Sequence, residues 1–233
     1  MGDPTTLPRP RATHVALAVV LQVRNAELQV LLWERARSPH AGAWALPGGF
    51  LSPDESLEDS IRRHLAEKVD VRELSHLEQL ETRGAAARGV EDWQLATAYL
   101  GLVPADVDPA LPPDTAWHPV DRLPQLAFDH EAIVLAGRER LRAKLSYTNA
   151  GFALAPAEFT ISQLRELYAA ALGHAVSATN LQRVLLRRRL LEPTGARRPP
   201  GRNGGRPAAC FRFRARELEI TDQFAVLRPP PGR

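Results

Sequence analysis

This 233-residue sequence predicts an α/β fold over residues 1–149, followed by a small domain of paired helices and a hairpin over residues 150–233. Three observations lead there: strand-like segments bracket an amphipathic helix in the first part, helix start and stop signals crowd together in the second, and charge divides between the two. Residues 151–233 carry 14 Arg and no Lys against 6 acidic residues, a balance of +8, while the first 150 hold 16 basic and 21 acidic residues, a balance of −5; together they give the chain's +3. A run of like charge is often a solvated face, but so strong a split suggests that the second part meets a polyanion.

The elements follow in order. "HVALAVVLQV" (14–23) and "LQVLLWERA" (28–36) are apolar and rich in β-branched residues, and "RNAE" between them supplies the turn of a hairpin. Next comes "GGFLSPDESLEDSIRRHLAEKVDV" (48–71), where Leu57, Ile61 and Leu65 recur on one helical face and Ser52 or Asp54 is expected to cap the start. "HLEQLET" and "WQLATAYLGLV" are two further strands. "DHEAIVLAGRERLRAKL" predicts a helix from Asp129 to about Leu145, with Asp129 as N-cap and Ile133, Leu141 and Leu145 inward. "SYTNAGFALAPAEF" breaks the periodicity and suits a short interdomain connection, which places the boundary near residue 150.

Beyond it, Thr160 and Gln163 form a capping box, followed by Leu164, Leu167, Tyr168 and Leu172 and a stop at Gly173. A second helix is expected from Ser177 to about Arg189. "LLEPTG" and "ACFRFRAR" then read as strands joined by the loop "ARRPPGRNGGRPA". A helix pair followed by a basic hairpin is the plan of a winged helix-turn-helix. On its second helix Leu181, Val184 and Leu185 make an apolar edge, whereas Asn180, Arg183 and Arg187 lie along another, flanked by Thr179, Gln182 and Arg189. Arg pairs with guanine and Asn with adenine in the major groove, so these residues are the candidates for reading double-stranded DNA. In the loop, Arg197, Arg198, Arg202 and Arg206 among Pro and Gly can approach phosphates or the minor groove.

Other classes are disfavoured. No apolar run approaches the ~18 residues of a membrane span and the polar start lacks a signal-peptide core, so a cytoplasmic protein without membrane partners is expected. Cys210 is the single cysteine, which rules out an internal disulfide and a cysteine-rich zinc site.

Gly49, Glu55, Arg63, Leu65, Glu67 and Val71 fall in the register of the pattern G-x5-E-x7-R-E-U-x-E-E-x-G-U, with U a bulky aliphatic, and "WALPGGF" leads into it. The first part thus resembles the Nudix family, which implies an α/β/α sandwich and hydrolysis of diphosphate-linked nucleosides through Mg or Mn held by carboxylates. The pattern is degenerate here: His64 and Lys68 stand where two of three Glu belong, and Asp70 replaces the glycine. Lys68 puts an ammonium where hard divalent cations need an oxygen ligand, so no catalytic residue, resident metal or cofactor is expected. Glu55 and Arg63 can still pair and keep the loop-helix shape.

With "FTISQLRELYAAALG", "NLQRVLLRRRLLEPTG" and "GGRPAACFRF" included, nearly the whole chain resembles the Nudix-related transcriptional regulators of bacterial NAD metabolism. The resemblance implies a homodimer that represses genes of NAD synthesis or salvage from a palindromic operator and releases it on binding ADP-ribose or a related metabolite. Arg35, Trp44, Gly48, Gly49, Phe50, Glu67, Phe128 and His130 are the effector-pocket candidates, with a core role open for Trp44 and Phe128. Two alternatives remain: an active pyrophosphatase acting on ADP-ribose or a dinucleotide, and a DNA-binding protein indifferent to nucleotides.

Overall fold

The longest apolar run of the sequence becomes the middle of a sheet. In the computed structural model, which describes residues 13–84, 94–199 and 207–222, β1 (Thr13–Arg24) pairs in parallel with β6 (Gln94–Leu102) over nine residue pairs, from Thr13↔Gln94 to Leu21↔Leu102. A strand covered on both faces can be apolar at successive positions, which is why "VALAVVLQV" shows no polar alternation. Successive side chains still point to opposite faces. Leu17, Val19, Leu21 and Val23 join one apolar cluster, and Ala16, Ala18 and Val20 the other. The exception is Gln22, fully buried, whose amide donates to the carbonyls of Pro104 and Val107 at 2.6 Å each.

β1 turns into β2 (Glu27–Glu34) through Asn25 and Ala26, both left-handed at φ 51° and 61°, the geometry that matches the twist of a two-residue hairpin. β5 (His76–Gly84) flanks β6. The sheet also contains β3 (Trp44–Ala45), β4 (Gly48–Phe50) and β7 (Thr115–Pro119), which the sequence reading did not anticipate; two to five residues are too few to show a period.

Helices cover both faces, as expected for a sandwich. α1 (Leu57–Val69) lays Ile61, Leu65 and Val69 on the Ala16–Ala18–Val20 side. Its cap is Ser56, whose Oγ accepts from the Asp59 amide at 3.1 Å, rather than Ser52 or Asp54. The Ser52 amide is instead held by Glu55 Oε1 at 2.7 Å in the turn before the helix. α1 ends on Asp70 at φ 50°, so the position that is Gly in the family pattern is a left-handed C-cap, a conformation Asp tolerates. α2 (His130–Tyr147) covers the opposite face with Ile133, Leu141 and Leu145, as read, plus Val134 and Gly137. Asp129 occupies the N-cap position without a capping hydrogen bond from its side chain.

The segment read as a connection is buried. Ala150–Ala153 form a 3-10 turn, and Ala150, Phe152, Ala153, Leu154 and Ala155 belong to the same core as β1 and α2. "AGFALA" is apolar throughout, and that outweighs its lack of periodicity. The core continues into the second domain, where β8 (Phe159–Thr160) leads to α3 (Ile161–Leu172), closed by the predicted Thr160–Gln163 capping box and by Gly173 at φ 75°. α4 (Ala178–Arg187) follows, shorter than expected at both ends, with Ser177 as its N-cap. β9 (Leu191–Arg198) and β10 (Ala208–Phe213) form the hairpin, with β8 on the other edge of β10. The hairpin extends further than read: Arg197 and Arg198 are strand residues opposite Ala209 and Ala208. Arg202 and Arg206 lie outside the described residues.

Candidate functional sites

The box helix and the Gly-Gly turn create the first site. Gly48 has φ 154°, and a Cβ there would sit 2.1 Å from the Ala16 carbonyl oxygen, so the antiparallel pairing of β4 with β1 requires glycine there. At Gly49 a Cβ would lie 2.5 Å from Cε1 of His64. The glycines thus let the turn settle directly onto α1.

His64 is buried there. Its Nε2 lies 3.1 Å from the Phe50 carbonyl oxygen and its Nδ1 3.4 Å from Arg63 Nη1. A carbonyl accepts and a guanidinium donates, so the ring carries its proton on Nε2 and turns its Nδ1 lone pair to Arg63. Burial lowers its pKa, only partly opposed by the Phe50 carbonyl, and Arg63 and Lys68 lower it further. Arg63 in turn grips Glu55, its Nε 2.9 Å from Oε2, and reaches Glu67 at 3.4 Å. The Arg63 hydrogen bond holds the Glu55 carboxylate well below the ordinary range. The expected Glu55–Arg63 pair is therefore present.

Lys68 completes this group. Its Nζ donates to the Gly48 carbonyl at 2.6 Å and stands 5.1 Å from the centre of the Trp33 ring, a cation-π distance. Burial lowers its pKa, and the charges of Arg35 and Arg63 lower it further against a smaller effect of Glu67. A divalent metal does not fit: His64 has both ring nitrogens engaged, Glu67 is exposed beside Arg63, and an ammonium rests on the turn carbonyl. Among the described residues no three His, Cys, Asp or Glu groups converge to hold an ion.

Beside the box is a stack of rings. Arg35 donates from Nε to the Pro39 carbonyl at 3.0 Å, and its guanidinium carbon lies 4.9 Å from the Phe128 ring centre. Phe128, at φ 54°, is flanked by His40 at 4.7 Å and His130 at 5.5 Å between ring centres. His130 Nδ1 accepts from the Leu46 amide at 3.0 Å, which ties the stack to the link between β3 and the Gly-Gly start of β4.

The structure therefore brings Arg35, Phe128 and His130 together, with the Arg35 charge also acting on Lys68, whereas Gly48 and Gly49 meet Lys68 and His64, and Glu67 meets Arg63 on the exposed side of α1. Phe50 is strongly exposed, and Trp44 packs against the core with its ring 4.3 Å from His118. Sequence reading missed Trp33, His40 and His118, which become neighbours of the candidates only through strand pairing and ring contacts. A cavity of about 480 Å³ opens elsewhere, between Ala26, Ala105, Leu167 and Arg198; its Asp106, Glu158 and Glu166 suit neither a diphosphate nor DNA.

The second site is the outer face of α4. Leu181 and Leu185 are buried, so Thr179, Asn180, Arg183 and Arg187 face outward, as read; Val184 is half-buried. Arg183 donates to Asn180 Oδ1 at 2.8 Å, which pre-orients two polar groups one helical turn apart. Arg189, left-handed at φ 56°, follows the helix and is exposed, as are Arg197 and Arg198 on β9. Arg198 donates to the Glu158 carbonyl at 3.1 Å. Arg188, between two exposed arginines, is spent inside the protein: it donates to the Ser146 carbonyl and to Asp222 Oδ2, both at 2.8 Å, and fastens α4 to the end of α2.

An α/β/α sandwich carrying the box turn and helix, joined to a winged helix with a cationic outer face, defines a Nudix-domain protein with a DNA-binding-type second domain. Residues 13–136 match the NUDIX domain and residues 151–213 the NrtR DNA-binding winged helix domain. The chain belongs to the NrtR family of Nudix-related regulators. It is 30% identical over 211 residues to the ADPR responsive transcriptional repressor NtrR of Acinetobacter baylyi, spanning 86% of this chain and 82% of that one. Among solved structures, NrtR of Shewanella oneidensis complexed with a 27-mer DNA is similar at 34% identity and a TM-score of 0.73, covering 86% of this chain and 93% of its own. The NUDIX domain of the same protein, complexed with ADP-ribose, is 34% identical with a TM-score of 0.50, over 60% of this chain and 94% of its own.

Proposed function

We propose that this chain is an ADP-ribose-responsive transcriptional repressor of genes for NAD synthesis or salvage. Residues 1–149 sense the effector and hold a homodimer together, and residues 150–233 bind a near-palindromic operator. The observation that carries this reading is the pairing of two cationic sites of different kind on one chain. One is an outward face of Asn180, Arg183 and Arg187 built like a recognition helix; the other is a half-buried cluster of Arg35, Arg63 and Lys68 on a Nudix turn. The likeness to an ADPR responsive repressor, and to NrtR structures complexed with DNA and with ADP-ribose, supports it.

In this reading the Nudix site binds and does not hydrolyse. His64 and Lys68 in the places of box carboxylates leave a metal only Glu67, itself beside Arg63, and a sensor that spares its effector reports concentration without consuming it. Release of DNA requires that ADP-ribose bind the DNA-free arrangement better than the DNA-bound one. α2 is placed to carry that difference: it begins at His130, beside Phe128 and Arg35, and its last turn holds Ser146, to whose carbonyl Arg188 of the winged helix donates. The test is fluorescence anisotropy of a labelled operator duplex, titrated with ADP-ribose. Falling anisotropy supports the reading, and an unchanged signal at saturating ligand refutes it.

A further inference from the structure

We infer that the Lys68 ammonium takes the place of the divalent cation in this Nudix fold, so that a diphosphate-bearing effector is held by a fixed side-chain charge and its binding needs no metal. The inference rests on the reading of the box site as the effector pocket and specifies how that pocket meets its ligand.

Four observations converge on it. Lys68 occupies a box position that bears a carboxylate in the family pattern, so its charge at that point of α1 is reversed. Its Nζ is held 2.6 Å from the Gly48 carbonyl, on the turn whose glycines let backbone approach α1 closely. An ammonium has three N–H donors and that carbonyl accepts from one, which leaves donors for phosphate oxygens. The Trp33 ring, 5.1 Å away, supports the cation from another side without neutralising it.

The surroundings also favour an anion. Glu55 is fully engaged by Arg63, and Glu67 is exposed with its nearest cation at 3.4 Å. Arg35 and Arg63 act on Lys68 with the same sign and so raise the cost of leaving the site without an anion. An added divalent cation would meet three positive side chains; a diphosphate would relieve their mutual repulsion. His64 offers no competing ligand, because both its nitrogens are committed.

The experiment measures ADP-ribose binding to the full-length protein by titration calorimetry, once in excess EDTA and once in magnesium. Equal affinity in the two buffers, within about twofold, is expected. Lys68→Met should weaken binding about tenfold or more in both, the size of a lost hydrogen bond to a charged group, and Lys68→Arg should recover most of it; thermal melting of both variants establishes that they are folded. Wild-type binding lost in EDTA and restored by magnesium overturns the inference, as does a folded Lys68→Met protein that binds like wild type. If Lys68→Met fails to fold, the wild-type comparison still decides. No binding to wild type in either buffer removes the effector reading itself, and this inference with it.

Discussion

Glu78→Gln is the change whose effect on the fold can be worked out most directly. Glu78 projects from β5 to α2, where its Oε2 lies 2.7 Å from Lys144 Nζ and 3.1 Å from His76 Nε2, and its Oε1 3.3 Å from Arg140 Nη1. The side chains of Glu78 and Lys144 are 17% and 13% exposed, so solvent screens this pair little. Arg140 also donates to the Leu80 carbonyl at 3.1 Å, beside the bulge where β5 slips register against β6. Burial alone would raise the Glu78 pKa, but hydrogen bonds and charges from His76 and Lys144 outweigh it and bring the pKa from 4.5 down to about 2. At 1.36 kcal/mol per pH unit this amounts to about 3 kcal/mol. Because the folded pKa is depressed, that stability is present above pH 4.5 and is lost as pH falls toward 2. Glu78→Gln should lower stability at pH 7 by about 3 kcal/mol, or ~6 to 12 °C in Tm for a chain of this size, and the loss should shrink as the wild type is acidified. Thermal melts by circular dichroism between pH 7 and pH 3 provide the measurement. Equal melting at pH 7, or a deficit that does not narrow in acid, would refute the assignment.

Three further outcomes are expected. Tyr168→Phe should leave stability unchanged or raise it by about 1 kcal/mol in urea unfolding, because the buried Oη makes no hydrogen bond among the described residues. Gly49→Ala should lower Tm and weaken ADP-ribose binding, since the new methyl meets the His64 ring at 2.5 Å; adding His64→Ala should restore part of the Tm, and no recovery would place the strain elsewhere. Arg187→Ala should cost roughly 1 to 3 kcal/mol on the operator if the contact is to a base edge. An equal loss on random duplex, with a shallower salt dependence, would mark it as a phosphate contact.

The sequence was most readable where the chain repeats a period. β1, β2, β5, β6 and the four helices are long enough for apolar spacing to declare them, and the box register located Lys68 and His64 as departures. What escaped was tertiary. β3, β4, β7 and β8 are strands because a neighbour pairs with them, not because of their own pattern. Ser56 rather than Ser52 caps α1 because the helix begins only at Leu57, after a turn in which Glu55 holds the Ser52 amide. At the site, the box residues could be named, but that Lys68 rests on Gly48 and Trp33 depends on how α1 lies across the turn. Likewise Phe128, left-handed at φ 54°, meets Arg35 and His40 from distant parts of the chain, which no local pattern announces. Equally, nothing local distinguishes Arg188 from Arg187 and Arg189; the end of α2 does.

The central claim is that a Nudix site has been turned from cutting its ligand to sensing it. One sample tests it: full-length protein on labelled operator DNA, with ADP-ribose and magnesium added, followed at once for operator occupancy and for release of AMP. The account predicts that DNA is released while ADP-ribose stays intact. Operator occupancy that persists at saturating ADP-ribose, or steady turnover of ADP-ribose to AMP, would contradict it.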